Sequence, residues 1–88
     1  MIRKKIVISN KLGLHARAAA KFVALASAFD AEIQLSRSGR AVNGKSIMGV
    51  MMLAASKDTE IELEVWGNDE QVAFSKLEAL INAGFGED

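Results

Sequence analysis

Hydrophobic and polar residues alternate with a period of two in three stretches of the chain, and such alternation marks half-buried strands. In the first, Ile2, Ile6 and Ile8 alternate with Arg3, Lys5 and Ser9. In the second, over residues 31–37, Ala31, Ile33 and Leu35 point one way and Glu32, Gln34 and Ser36 the other. In the third, over residues 60–66, Ile61, Leu63 and Val65 face inward and Glu60, Glu62 and Glu64 outward. A fourth, short strand is expected over 40–43, after the Ser38-Gly39 turn signal.

Between these stretches the period becomes helical. From residue 16 to about 29, Ala19, Phe22, Val23 and Ala26 share one face, with Arg17 and Lys21 on another. Ser46 is placed to cap a short helix running to about Leu53. Asn68 is expected to cap the last helix with Gln71 as its partner three residues on, and Asp69 and Glu70 suit that helix's positive end. Its buried stripe is Ala73, Phe74, Leu77, Leu80 and Ile81, and Gly84 is its expected stop. The order is β-α-β-β-α-β-α. Every strand buries one face only, so an α+β fold is expected, with an antiparallel sheet carrying helices on one side and water on the other. The acidic row 60, 62, 64 then pairs across strands with Arg3 and Lys5 on the wet face.

Composition narrows the possible chemistry. Eighty-eight residues make a single domain, 1–88, too small for a deep catalytic pocket. Lys and Arg number 11 and Asp and Glu 11, which argues against a nucleic-acid or anionic-membrane binder. There is no cysteine and only one histidine, so no metal site is expected. The basic Arg3, Lys4 and Lys5 precede an apolar run too short for a signal peptide, and no stretch approaches a membrane span; a cytoplasmic protein is expected.

The single histidine, His15, lies in Gly13-Leu14-His15-Ala16-Arg17, where a strand gives way to a helix. A helix start offers backbone N–H donors and partial positive charge, and Arg17 adds a fork of donors that fits phosphate oxygens. The imidazole then serves as a nucleophile for a phosphoryl group. A serine hydrolase is not expected: no serine sits in a nucleophile elbow, and no acid is visibly placed to orient His15.

Residues 39–46, Gly-Arg-Ala-Val-Asn-Gly-Lys-Ser, match the phosphate-loop pattern letter for letter. Residues 40–43 read as a strand, however, and the sheet is not parallel and doubly covered. The segment is therefore read as a tight turn in which Gly44 supplies backbone freedom and Ser46 caps a helix. The next helix crowds Ile47, Met48, Met51 and Met52 into two turns, and one stripe cannot bury them all. Val50, Leu53 and Met52 are assigned to the core. Ile47, Met48 and Met51 remain as an exposed patch suited to adaptable partner binding.

The two segments Gly13-Leu14-His15-Ala16-Arg17 and Gly44-Lys45-Ser46-Ile47-Met48-Gly49, at this separation and in this element order, resemble the HPr family of histidine phosphocarriers of the phosphoenolpyruvate-dependent phosphotransferase system. The resemblance covers essentially the whole chain. It implies an open-faced β-sandwich, with a four-stranded antiparallel sheet covered on one face by three helices. It implies that His15, assisted by Arg17, takes a phosphoryl group from phospho-enzyme I and passes it to enzyme IIA domains, as a monomeric transfer intermediate without a cofactor rather than a stand-alone enzyme. It implies regulatory phosphorylation of Ser46 by a serine kinase/phosphorylase, and docking of enzyme I on Ala20, Ile47, Met48 and Met51. Ala18 stands where many members carry proline, a change that removes no phosphate ligand. The tail, residues 82–88, is similar to the nitrogen-related branch, whereas Gly-Lys-Ser-Ile is similar to the sugar-transport branch. A regulatory binding module of the nitrogen-related branch is thus the alternative reading.

Overall fold

The computed structural model describes residues 1–87; Asp88, the last residue of the tail considered above, lies outside the described residues. The strands are β1 (Ile2–Val7), β2 (Glu32–Arg37), β3 (Arg40–Asn43) and β4 (Glu60–Trp66). The helices are α1 (Ala16–Ala26), α2 (Ile47–Met52) and α3 (Glu70–Asn82), followed by a 3-10 turn over Gly84–Gly86. The strands form one antiparallel sheet in the order β1-β4-β2-β3. This is the expected α+β, open-faced arrangement of four strands and three helices.

Side-chain alternation explains the layering. Ile33, Leu35, Ile61, Leu63 and Val65 are buried beneath Ala18, Ala19, Phe22, Val23 and Ala26 of α1 and Ala73, Phe74, Leu77 and Ile81 of α3. On the other face the register sets Arg3 opposite Glu64 and Lys5 opposite Glu62. Arg3 pairs with Glu64 at 3.3 Å, and Gln34 Nε2 donates to the other oxygen of Glu64 at 3.1 Å. Of the acidic row, only Glu64 forms the expected cross-strand ion pair; Glu62 stands opposite Lys5 in register without an ion pair between them, and Glu60 stands opposite Val7.

Several boundaries move. α1 ends at Ala26 rather than near residue 29, because Ala28 and Phe29 bond to the carbonyls of Leu25 and Ala26 in a tighter turn. The α3 cap is Asp69, not Asn68. Its carboxylate does not cap the helix but accepts the amides of Asp30 and Ala31 at 2.9 and 2.8 Å, tying the start of β2 to the start of α3. Those two amides hold the Asp69 carboxyl below its ordinary pKa, Asp30 contributing most. The reach back across three residues is made by Glu70 to the Gly67 amide at 3.0 Å instead of by Gln71 to Asn68. Met52 is 59% exposed and leaves the core, since Val50 and Leu53 already fill the inward side of α2. Gly84 stops α3 as expected, directly after the Ala83 cap and with left-handed backbone (φ +63°), and it also starts the 3-10 turn that folds the tail back over the start of α1 and buries Phe85.

Candidate functional site

His15 occupies the N-cap position of α1, with extended backbone (φ −73°, ψ 178°), and its carbonyl accepts the first helical bond from Ala19 at 2.9 Å. Its ring does not cap the helix. The amides of Ala16, Arg17 and Ala18 are thereby left at the helix start as donors without intrahelical partners. The loop before it is fixed by Gly13. Gly13 has φ +67°, and a Cβ there would lie 2.4 Å from the Ala55 carbonyl oxygen and 2.7 Å from Ser56 Cα. Only glycine lets the loop sit this close, and the contact is sealed by the Leu14 amide on the same Ala55 oxygen at 2.8 Å.

The site contains an acid that sequence reasoning missed. Glu87 Oε2 lies 2.6 Å from His15 Nε2. Its other oxygen accepts from Asn10 Nδ2 at 3.1 Å, and the same Asn10 amide donates to the Gly13 carbonyl at 2.8 Å. Asn10 is the only buried polar residue of the described structure. The Asn10 bond, above all, holds the Glu87 carboxyl below its ordinary pKa; the His15 ring and Lys21 add to the effect against the opposing cost of desolvation. The tail is pinned by two further contacts. Lys21 Nζ donates to the Phe85 carbonyl at 2.8 Å, and the Phe85 side chain is fully buried although its backbone is left-handed (φ 58°). Such a backbone in a phenylalanine is strained, and burial of the aromatic ring offsets that strain.

A shallow depression results, lined by Leu12, His15, Ala16, Arg17, Lys21 and Glu87. His15 is partly exposed in it, and Arg17 is exposed beside it with no ion pair to any described residue. Arg17, Lys21, the carboxylate of Glu87, a helix start and one imidazole therefore line a single depression, with Lys21 held by the Phe85 carbonyl and Glu87 by the imidazole. Among the described residues there is no cluster of side chains suited to a metal ion.

The remaining sequence-selected residues form a neighbouring surface. Ser46 caps α2 as expected, its Oγ accepting from the Gly49 amide at 3.1 Å. Ile47, Met48, Met51 and the unexpected Met52 are all exposed, while Ala20 on α1 is half-buried. Helices α1 and α2 pack together, so this patch adjoins the His15 helix without lining its depression. The phosphate-loop letters carry no phosphate cradle: residues 40–43 are strand β3, and Lys45 Nζ is engaged by the Phe29 carbonyl at 2.7 Å. Gly44 is needed for close approach rather than freedom. Its φ is unremarkable, but a Cβ would meet Ile33 Cγ2 at 2.5 Å.

Glu87 and Asn10 were hidden for a physical reason. The His15–Glu87 contact spans 72 positions and the Asn10–Glu87 contact 77, so no local period reports them. The available hint was the tail itself, an aromatic between two glycines just after a helix stop, followed by an acid.

A family model described as "PTS HPr component phosphorylation site" matches residues 2–83. The phosphocarrier protein HPr of Neisseria meningitidis serogroup A is 55% identical over 87 residues, covering 99% of this chain and 98% of that protein. The crystal structure of HPr-C-His from Thermoanaerobacter tengcongensis superposes with a TM-score of 0.96 at 44% identity, covering 100% and 99% of the two chains. A crystal structure of an HPr dimer from the same organism superposes with a TM-score of 0.79 at 45% identity, covering 99% and 100%.

Proposed function

This chain belongs to the HPr family of phosphotransferase-system phosphocarriers, and from that premise we propose that His15 is its phosphoryl acceptor, loaded by phospho-enzyme I and discharged to enzyme IIA domains. The observation that carries this reading is the partly exposed imidazole at the start of α1, between Arg17 and an anchored carboxylate. With Nε2 engaged by Glu87, the lone pair of Nδ1 is the free nucleophile. It attacks phosphorus in line; the bond from phosphorus to the donor's leaving atom breaks, and that atom keeps the electron pair. Arg17 and the amides of Ala16, Arg17 and Ala18 offset charge on the phosphoryl oxygens. An open, shallow site suits a carrier, because the next partner must reach phosphorus from the solvent side and complete the transition state itself. The chain works in the cytoplasm as a single copy and needs no cofactor; no helix among the described residues is long and apolar enough to cross a membrane.

Ile47, Met48, Met51 and Ala20 form the docking surface for enzyme I, and Ser46 is a regulatory phosphorylation site for a serine kinase/phosphorylase. A phosphate on Ser46 would still accept from the α2 amides while placing about two negative charges beside Ile47 and Met48. A partner that buries this patch would have to desolvate them. The test of the carrier reading is incubation with enzyme I and phosphoenolpyruvate followed by intact-mass measurement. One acid-labile phosphoryl group is expected, absent in His15→Ala; an unchanged gain in His15→Ala overturns it.

A further inference from the structure

The tail that carries Glu87 lies outside residues 2–83, the part matched by the family model, yet it reaches the centre of the site. Glu87 Oε2 is 2.6 Å from His15 Nε2, and its partner oxygen is fixed by Asn10, a buried side chain that also holds the Gly13 carbonyl. We infer that Glu87 is a positioning residue for phosphoryl transfer: through its bond to Nε2 it sets the tautomer and the orientation of the His15 ring, and Asn10 sets Glu87. This rests on His15 being the phosphoryl acceptor.

A carboxylate can only accept a hydrogen bond, so the neutral ring facing it must carry its proton on Nε2. The lone pair is then left on Nδ1, on the side of the ring turned away from Glu87. During loading the Nδ1–P bond forms and no proton leaves the ring, since Nε2–H stays on Glu87. The phosphorylated ring is formally cationic, and the adjacent carboxylate opposes that charge. During discharge a nucleophile of the accepting IIA domain forms a bond to phosphorus as the Nδ1–P bond breaks, the ring recovers the electron pair, and the same neutral tautomer returns. The carrier is thereby reset without exchanging a proton with solvent. Asn10 bears a cost for this arrangement. Both protons of its amide are committed to Gly13 and Glu87, and its Oδ1 is buried with no partner among the described residues. Such an orphan is destabilising by itself, and it is tolerated because the same amide anchors loop and tail to each other.

The test has two readouts on the full chain. The first is the ¹⁵N chemical shifts of the His15 ring in the unphosphorylated protein, at a pH where the ring is neutral. Nε2–H is expected almost alone in the wild type, giving way to a mixture in Glu87→Ala. The second is the rate of loading by phospho-enzyme I, expected to fall about tenfold in Glu87→Ala through kcat, with KM unmoved, as a lost charge-assisted hydrogen bond would cause. Glu87→Gln, whose side-chain oxygen still accepts from Nε2–H, is expected to keep the tautomer and to recover part of the rate. An unchanged tautomer ratio in Glu87→Ala, or an unchanged loading rate, overturns the inference. The tautomer readout needs no phosphoryl donor, so a failure of loading in the wild type would count against His15 as acceptor and not against Glu87 as the group that orients it.

Discussion

Gly13→Ala and Gly39→Ala separate the two reasons a chain needs glycine, and the comparison tests how the His15 loop is held. Both residues have left-handed backbone, φ +67° and +81°. At Gly39 a Cβ would meet nothing within 4 Å, so alanine there brings only the conformational cost, about 1 kcal/mol. At Gly13 the same cost is joined by a clash with backbone on two sides, the Ala55 oxygen at 2.4 Å and Ser56 Cα at 2.7 Å. Neither atom can swing aside as a side chain would. The two loops must separate, which strains local packing by about 1–3 kcal/mol and weakens the Leu14–Ala55 hydrogen bond by about 1 kcal/mol. Gly13→Ala is therefore expected to cost about 3 kcal/mol or more in total. In a domain of this size each kcal/mol moves Tm by about 4–8 °C, so the drop should exceed about 12 °C for Gly13→Ala and stay near 4–8 °C for Gly39→Ala. Calorimetric or circular-dichroism melts of both variants decide the matter. At a temperature where Gly13→Ala is still folded its loading rate should also fall, because His15 follows two residues later. Equal Tm shifts in the two variants would refute the close-approach reasoning.

Met48 is 72% exposed, so Met48→Asp should keep the wild-type Tm within about 2 °C while weakening enzyme I binding in titration calorimetry; unfolding would return Met48 to the core. Ser46→Ala removes the α2 cap and should cost about 0.5–2 kcal/mol in denaturant melts, whereas Ser46→Asp keeps a capping oxygen and should cost less while binding enzyme I more weakly; equal affinities for wild type, Ser46→Ala and Ser46→Asp would leave Ser46 as a helix cap alone. The Asp69 carboxyl has its pKa lowered in the fold, chiefly by the Asp30 amide, so its stabilisation is present above the unfolded value of 3.8 and is lost as pH falls through the lower folded value. Tm measured against pH should therefore decline below about pH 4, and that decline should be shallower in Asp69→Asn; parallel acid limbs would show that other carboxylates carry it.

The strands were legible because their alternation is local. Ile61, Leu63 and Val65 declare a buried face, and the outward Glu62 and Glu64 stand opposite Lys5 and Arg3, of which Arg3 pairs with Glu64. The helix start at His15 and the Ser46 cap were legible for the same reason, each being decided within three or four residues. What escaped was decided at a distance. The cap position of α3 fell on Asp69 rather than Asn68, and the Asp69 carboxylate is taken up by the amides of Asp30 and Ala31, 39 and 38 positions away, instead of by its own helix. Lys45 matches a phosphate-loop lysine in sequence, but the Phe29 carbonyl, in the tight turn beyond the end of α1, holds its ammonium. Met52 lost its place because Val50 and Leu53 fill the inward side of α2 first. Glu87 is the largest omission. Its role depends on Phe85 being buried in a left-handed turn and on Lys21 and Asn10 receiving the tail, and none of these contacts has a local signature.

The most direct measurement of the central claim is a two-step transfer followed by intact mass. The chain is first loaded with a catalytic amount of enzyme I and an excess of phosphoenolpyruvate, freed of both, and then mixed with an enzyme IIA domain. A carrier is expected to lose its single phosphoryl group as the IIA domain gains one, with His15→Ala neither loading nor donating. A phosphoryl group that stays on the chain when the IIA domain is added, or one that His15→Ala acquires and passes on as readily as the wild type, would contradict it.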